Sequence, residues 1–115
     1  MVKAKVYLIP IPISDGAVQT LPPQIATNTV HIKHYFVEQV RTARRFLKLI
    51  HPSLVIDDLQ FMEMNKHEGI DIQKLKAWIK EGHSIGVMSE AGCPGIADPG
   101  AEVVAIAQAM NVDVI

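Results

Sequence analysis

The chain has 115 residues, of which 49% are hydrophobic and 20% are charged, and its formal net charge is −1. This length allows one domain at most, the composition is ordinary for a folded globular protein, and the charge balance excludes a basic surface that covers the whole domain. The single cysteine, Cys93, excludes an internal disulfide and fits a reducing compartment.

The amino-terminal stretch has none of the features of a targeting or membrane-spanning segment. Met1–Lys5 leads into a short apolar run that is broken by Pro10 and Pro12, which does not resemble a signal peptide. No apolar run in the chain approaches the length needed to cross a bilayer. We therefore expect a cytoplasmic protein.

The first half of the chain predicts two strands and a helix. Val6–Ile9 is a compact β-branched and aromatic run, which is typical of a strand, and a loop rich in proline follows it. A short helix is expected within residues 21–28. Val30–Val37 then predicts the second strand. Apolar spacing predicts an amphipathic helix from Glu38 to about His51, where Pro52 ends it.

The second half continues the same alternation. Asp71 has the chemistry of a helix N-cap, Gly82 closes that helix, and Trp78 lies on its apolar side as a core residue. Because strands and helices alternate throughout, we expect an α/β fold with a mainly parallel sheet and flanking helices. The further predicted elements are strands at Leu59–Met64, Ile85–Met88 and Val112–Ile115, and a helix at Ala101–Met110.

The most informative segment is the loop Ser89–Gly100, which reads Ser-Glu-Ala-Gly-Cys-Pro-Gly-Ile-Ala-Asp-Pro-Gly. It joins a strand to a helix, at the sheet edge where α/β proteins bind ligands. Its glycines let the backbone approach a ligand, and its prolines make it stiff. Asp98 before Pro99 also fits a helix N-cap, which is the structural alternative to a binding role. Glu90 has no such capping role.

The chemistry of this loop argues against a phosphate site. The chain has no Gly-x-Gly-x-x-Gly segment, and the loop does not end in Gly-Lys-Ser/Thr. Carboxylates that flank the glycines would repel a phosphate and suit hydroxyl or cationic groups. The loop therefore predicts a ligand of that kind and not ATP.

The loop resembles the segment Ser-Asp-Ala-Gly-Thr-Pro-Gly-Ile-Ser-Asp-Pro-Gly of the tetrapyrrole (corrin/porphyrin) methylase family. The most similar branch methylates a ribose 2′-hydroxyl of small-subunit ribosomal RNA. Pro10 and Pro12 match a strand-end loop of the family. Glu38, Arg41 and Arg44 match a Glu-Asp-Thr-Arg-x-Thr-Arg segment that faces the active-site cleft in that branch.

The chain departs from the family pattern at three places. Ser14-Asp15 replaces a Gly-Asn pair, Gln39-Val40 replaces an Asp-Thr pair, and Glu90 replaces an aspartate. These departures keep a second function open, which is a non-catalytic binding or structural domain that retains the fold and has lost activity. The basic residues of the predicted helix likewise have a structural alternative, which is a solvated helix face.

The resemblance implies that residues 1–115 form the N-terminal domain of an S-adenosylmethionine-dependent methyltransferase that uses no metal. The acceptor would be ribosomal RNA or a tetrapyrrole, and the protein a homodimer. The chain would be a fragment, inactive alone, because family members place the cofactor between this domain and a second one. The cofactor-binding candidates are Pro12, Glu90, Ala91, Gly92 and Asp98, and the active-site candidates are Glu38 and Arg41.

Overall fold

The computed structural model describes residues 4–11, 27, 29–64, 69–90 and 99–115. Its elements, in chain order, are β1 (Lys5–Ile11), β2 (His34–Val37), α1 (Val40–Ile50), a 3-10 turn (Ile56–Asp58), β3 (Gln60–Glu63), α2 (Ile72–Lys80), β4 (Ile85–Glu90), α3 (Pro99–Ala109) and β5 (Asp113–Val114). The strands form one sheet in the order β3-β2-β4-β1-β5, and neighbouring strands pair in parallel. The expected α/β fold with a parallel sheet and flanking helices is confirmed.

The helices cover both faces of the sheet. Side chains of α1 pack with Tyr35 and Met88 in one apolar cluster. Side chains of α2 and α3 pack with Phe36 and Val87 in a second cluster on the opposite face. From β1 the chain first adds strands in the direction of β3, and after β3 it adds β4 and β5 in the opposite direction. Because crossovers between parallel strands are right-handed, this change of direction places α1 on one face and the later helices on the other. In the described ranges, every helix is too short or too polar to cross a membrane.

Helix α2 has the boundaries that its sequence predicts. The Asp71 carboxylate accepts a hydrogen bond of 3.0 Å from the amide of Lys74, as an N-cap does. Gly82 has a φ of +84°, and its amide donates to the carbonyl of Ile79 at 3.0 Å. This left-handed conformation favours glycine, which explains why the helix ends there. Trp78 is buried in the core, as expected.

The second strand is shorter than the sequence predicts. The amide of Ile32 donates to the carbonyl of Thr29 at 3.1 Å, so that the chain turns at Val30 and His31 before it enters the sheet. The predicted strand over Val30–Val37 therefore begins four residues too early, and His31 lies in the turn that precedes β2. The predicted boundaries of the other elements that lie in the described ranges differ by a few residues at most.

A close contact between β2 and β4 fixes the centre of the sheet. A Cβ added to Gly86 would lie 2.6 Å from two ring atoms of Tyr35 and 3.0 Å from Cδ1 of Ile9. The Tyr35 hydroxyl donates to the carbonyl of Thr29 at 3.4 Å, and burial raises the pKa of this phenol above its usual range. The ring therefore packs this close to β4 only because position 86 has no side chain.

Candidate functional site at the carboxyl edge of the sheet

The strand register brings four strand ends to one edge of the sheet. Ile11 at the end of β1 pairs with Glu90 at the end of β4, and Val37 at the end of β2 pairs with Met88. Val37 also pairs with Glu63 at the end of β3. Because all these pairings are parallel, the carboxyl ends of β1 to β4 lie side by side.

At this edge, the connections that follow two neighbouring strands run to opposite faces of the sheet. After β2 it continues to α1 on one face, whereas after the neighbouring strand β4 it continues to α3 on the other face. Where adjacent strands send their connections to opposite faces, the connections separate and leave a crevice, which is the usual ligand site of open α/β sheets. The topology therefore predicts a ligand site beside the end of β4.

Three of the predicted residues belong to segments at this edge of the sheet. Glu38 directly follows β2 and is half-buried, and Arg41 is exposed in the first turn of α1. Glu90 is the last residue of β4, and its register partner Ile11 ends β1. Glu38 and Glu90 thus come from neighbouring strands that end at the same edge.

A further carboxylate at this edge was not found by sequence reasoning. Oε1 of Glu63 accepts a hydrogen bond of 3.1 Å from the amide of Val40, which is the first residue of α1. A carboxylate at a helix N-terminus satisfies an amide that has no partner within the helix and interacts favourably with the helix dipole. Glu63 therefore ties the end of β3 to the start of α1. The contact joins residues 23 positions apart, and local pattern reasoning cannot detect it.

The segment that departs from the family pattern has a local structural role here. Gln39 is extended, with φ −144° and ψ 121°, and precedes the helix. Its side-chain oxygen accepts a hydrogen bond from the hydroxyl of Thr42. The side-chain amide of Gln39 is therefore directed toward Thr42 in the first turn of α1.

The basic residues of α1 are divided between two environments. Arg44 forms an ion pair of 3.5 Å with Asp57, and Nζ of Lys48 donates to the carbonyl of Leu54 at 2.8 Å. These contacts hold the two cations against the segment that follows the helix. Arg41 and Arg45 are both exposed, but Arg45 lies one turn, about 6 Å, further from the sheet edge. Arg41 is thus the cation of α1 that is best placed to serve a ligand at the edge.

Most of the predicted cofactor-binding residues lie outside the described part of the chain. Pro12, Ala91, Gly92 and Asp98 are among them, and Glu90 is described only as a residue of β4. The expectation that Arg41 faces the active-site cleft stays a prediction for the same reason. In the ranges that the structure describes, no group of three or more His, Cys, Asp or Glu side chains is placed to hold a metal ion.

Comparison with known proteins agrees with the resemblance seen in the loop. The chain is 29% identical over 109 residues to ribosomal RNA small subunit methyltransferase I of Synechocystis sp., a match that covers 95% of the chain. The chain spans 37% of the length of that relative. No family model matches the chain. The match to the Synechocystis protein confirms the resemblance to the ribosomal RNA branch of the tetrapyrrole methylase family.

Proposed function

We propose that this chain is the N-terminal domain of an S-adenosylmethionine-dependent methyltransferase whose acceptor is small-subunit ribosomal RNA. The proposal rests on the similarity to a protein named as a ribosomal RNA methyltransferase and on the position of the central loop. That loop leaves β4 at the point where the connections of neighbouring strands separate. The relative's name favours RNA over a tetrapyrrole as the acceptor, and the cytoplasm is the expected location.

The observation that carries the proposal is the register of the strand ends. It places Glu63 and Glu90 at strand ends on one edge of the sheet, and Glu38 directly follows the end of β2 at the same edge. S-adenosylmethionine carries a sulfonium cation and ribose hydroxyls but no phosphate. Acidic groups beside a glycine-containing loop fit a ligand of that chemistry, because they attract the cation and accept hydrogen bonds from hydroxyls. The residues present therefore fit the cofactor.

The chain's own residues would do three things at this edge. Pro12, Glu90, Ala91, Gly92 and Asp98 would hold the cofactor, which supplies an electrophilic methyl group when it is bound. Arg41 would bind a phosphate of the RNA backbone near the acceptor ribose. Glu38 would take up the proton that the acceptor hydroxyl releases, since a hydroxyl is a poor nucleophile without a base. Alignment of donor and acceptor would supply most of the remaining rate.

The complete protein that contains this chain would place the cofactor between this domain and a second one. The chain spans 37% of its relative, which leaves room for such a domain. One domain alone would enclose only one side of a ligand, and the chain by itself would therefore bind the cofactor weakly. Two copies of the complete protein would form the homodimer that the resemblance implies.

Transfer of a labelled methyl group tests this function. The complete protein would be incubated with labelled S-adenosylmethionine and with isolated small ribosomal subunits, and in parallel with porphyrin precursors. The proposal expects label in the 2′-O-methyl groups of the RNA and none in the porphyrins. Label in the porphyrins would identify a tetrapyrrole as the acceptor. Label in neither substrate would favour a binding domain that has lost catalysis.

The second candidate is a binding domain that has lost catalysis, and one observation favours it. Gln39 stands where the ribosomal branch has an aspartate, and its side chain accepts a hydrogen bond from Thr42 within the first turn of α1. A Gln39→Asp variant separates the two candidates. A clear gain of methyl transfer from an inactive parent would indicate lost catalysis, whereas an active parent excludes this candidate.

A further inference from the structure

A second cleft lies at the amino-terminal edge of the sheet, away from the site described above. Its volume is about 580 Å³, which is within the range of about 300 to 1,000 Å³ that is usual for small-molecule sites. His34 begins β2, and Ser84 directly precedes β4, so the floor of the cleft is formed by strand starts. The lining residues that decide its chemistry are His31, Lys33, His34, His83 and Ser84.

The lining of this cleft has a one-sided chemistry. Among the residues that the structure describes, the lining includes one permanent cation, Lys33, and three imidazoles, and it includes no carboxylate. The hydroxyl of Ser84 accepts a hydrogen bond of 3.3 Å from the amide of Lys5, which fixes the hydroxyl at the strand start. A cleft lined by a lysine, imidazoles and hydroxyls offers donors and positive charge, and it suits an anion.

Two of the imidazoles form a stacked pair. The ring centroids of His34 and His83 are 4.0 Å apart, with an interplanar angle of 19°, and Trp78 packs edge-on against His34 at 4.9 Å. Stacked rings direct their nitrogens outward in nearly parallel planes and do not converge on a metal ion. The pair therefore favours a ligand that accepts hydrogen bonds over a metal.

We propose that this cleft binds the phosphate group of a small ligand, with Lys33 and the imidazoles of His31, His34 and His83 as its donors. A phosphate carries between one and two negative charges near neutral pH, whereas a carboxylate ligand carries one. A phosphate is therefore the better match for a lysine together with a protonated imidazole. The proposal is independent of the methyltransferase function, because the two sites lie at opposite edges of the sheet.

The charges around His34 predict how such binding depends on pH. Burial, followed by the charge of His83, lowers the pKa of His34, and Lys74 and Lys33 act in the same direction while Glu81 opposes them. Glu81 is placed to do so because it pairs with Nε2 of His83 at 3.1 Å. An anion in the cleft would favour the protonated rings, and its affinity should therefore rise as the pH falls.

Histidine ring signals in NMR spectra provide the test. Inorganic phosphate would be titrated into the intact chain, and sulfate would be titrated at pH 8 and at pH 6 because its charge is constant between them. We expect saturable shifts of the cleft histidines, tighter sulfate binding at pH 6, and about tenfold weaker phosphate binding in Lys33→Ala, since a charge-assisted hydrogen bond is lost. Lys76→Ala removes an exposed lysine of α2 outside the cleft and serves as the matched control.

The results separate a built site from general attraction of anions. Equal phosphate affinity in Lys33→Ala and Lys76→Ala would overturn the proposal, as would ring signals that do not saturate. Sulfate binding that is equal at pH 6 and pH 8 would overturn the role of the imidazoles and with it the proposed donor set.

Discussion

The Glu63 carboxylate accepts a hydrogen bond of 3.1 Å from the amide of Val40, across the gap between the end of β3 and the start of α1. The contact anchors the first turn of the helix that carries Arg41 and that begins two residues after Glu38. A change at Glu63 would therefore move two candidate active-site residues without touching either of them.

The Glu63 cap can be tested by stability. Glu63→Ala should lower the free energy of unfolding by about 1 kcal/mol, because the Val40 amide loses its acceptor and the helix N-terminus loses a negative charge. Urea denaturation measures this difference. Glu63→Gln keeps a side-chain oxygen without the charge and should lose less. Equal stability of the parent and both variants would show that water replaces the carboxylate without cost.

Gly86 tests the packing at the centre of the sheet. Gly86→Ala should destabilise the protein by about 1 to 3 kcal/mol, because the added Cβ would overlap the ring of Tyr35. The double variant Gly86→Ala/Tyr35→Leu should be less destabilised than the sum of its two single variants, since the smaller side chain leaves room. Thermal or urea unfolding of the four proteins measures the coupling. Strictly additive losses would contradict the contact.

The pH dependence of stability follows from His34. Its pKa is lowered from 6.5 in the folded state, chiefly by burial, so the unfolded state binds more protons in acid. The contribution of this residue is complete above pH 6.5 and is lost as the pH falls below it. His34→Phe should therefore lose less stability than the parent between pH 7.5 and pH 5.5, as measured by urea denaturation. His31→Gln is the control at an exposed histidine, and an unchanged slope in His34→Phe would refute the assignment.

Arg41 tests the proposed contact with RNA. Arg41→Ala should weaken binding to small-subunit RNA at all sequences alike and should lower the slope of log affinity against log salt by about 1, because one phosphate contact is lost. Filter binding at several salt concentrations measures the slope. Lys80→Ala, at the far end of α2, should leave it unchanged. An equal slope of log affinity against log salt in Arg41→Ala and Lys80→Ala would show that Arg41 belongs to a solvated helix face.

Glu38 tests the proposed proton transfer. Glu38→Gln should lower the rate of methyl transfer to ribosomal RNA by about 10² to 10⁴, because the amide cannot take up the hydroxyl proton. Cofactor binding should be retained, since Glu38 is not among the residues proposed to hold the cofactor. A single-turnover assay measures the rate. Activity within a few-fold of the parent would exclude Glu38 as the base.

Local chemistry in the sequence was sufficient for most of the fold. Asp71 and Gly82 mark the ends of α2 because capping and left-handed backbone depend on residue type at one position. The start of β2 was missed because the turn at His31 is closed by a backbone hydrogen bond that any sequence can make. The stacked pair of His34 and His83 was missed because the two residues meet only when β2 and β4 pair. The central loop was found by its motif, and its contacts are still predictions.

The most direct test of the central claim is calorimetric titration of S-adenosylmethionine into the two-domain protein that is proposed to contain this chain. We expect saturable binding by the parent, and about tenfold or greater loss in Glu90→Lys, because a cation would then replace a carboxylate beside the sulfonium. Glu81→Lys, at the opposite edge of the sheet, is the matched charge control and should bind like the parent. Two results would contradict a cofactor site at the carboxyl end of β4. One is that the folded parent shows no heat of binding, and the other is that Glu90→Lys binds the cofactor as tightly as the parent does.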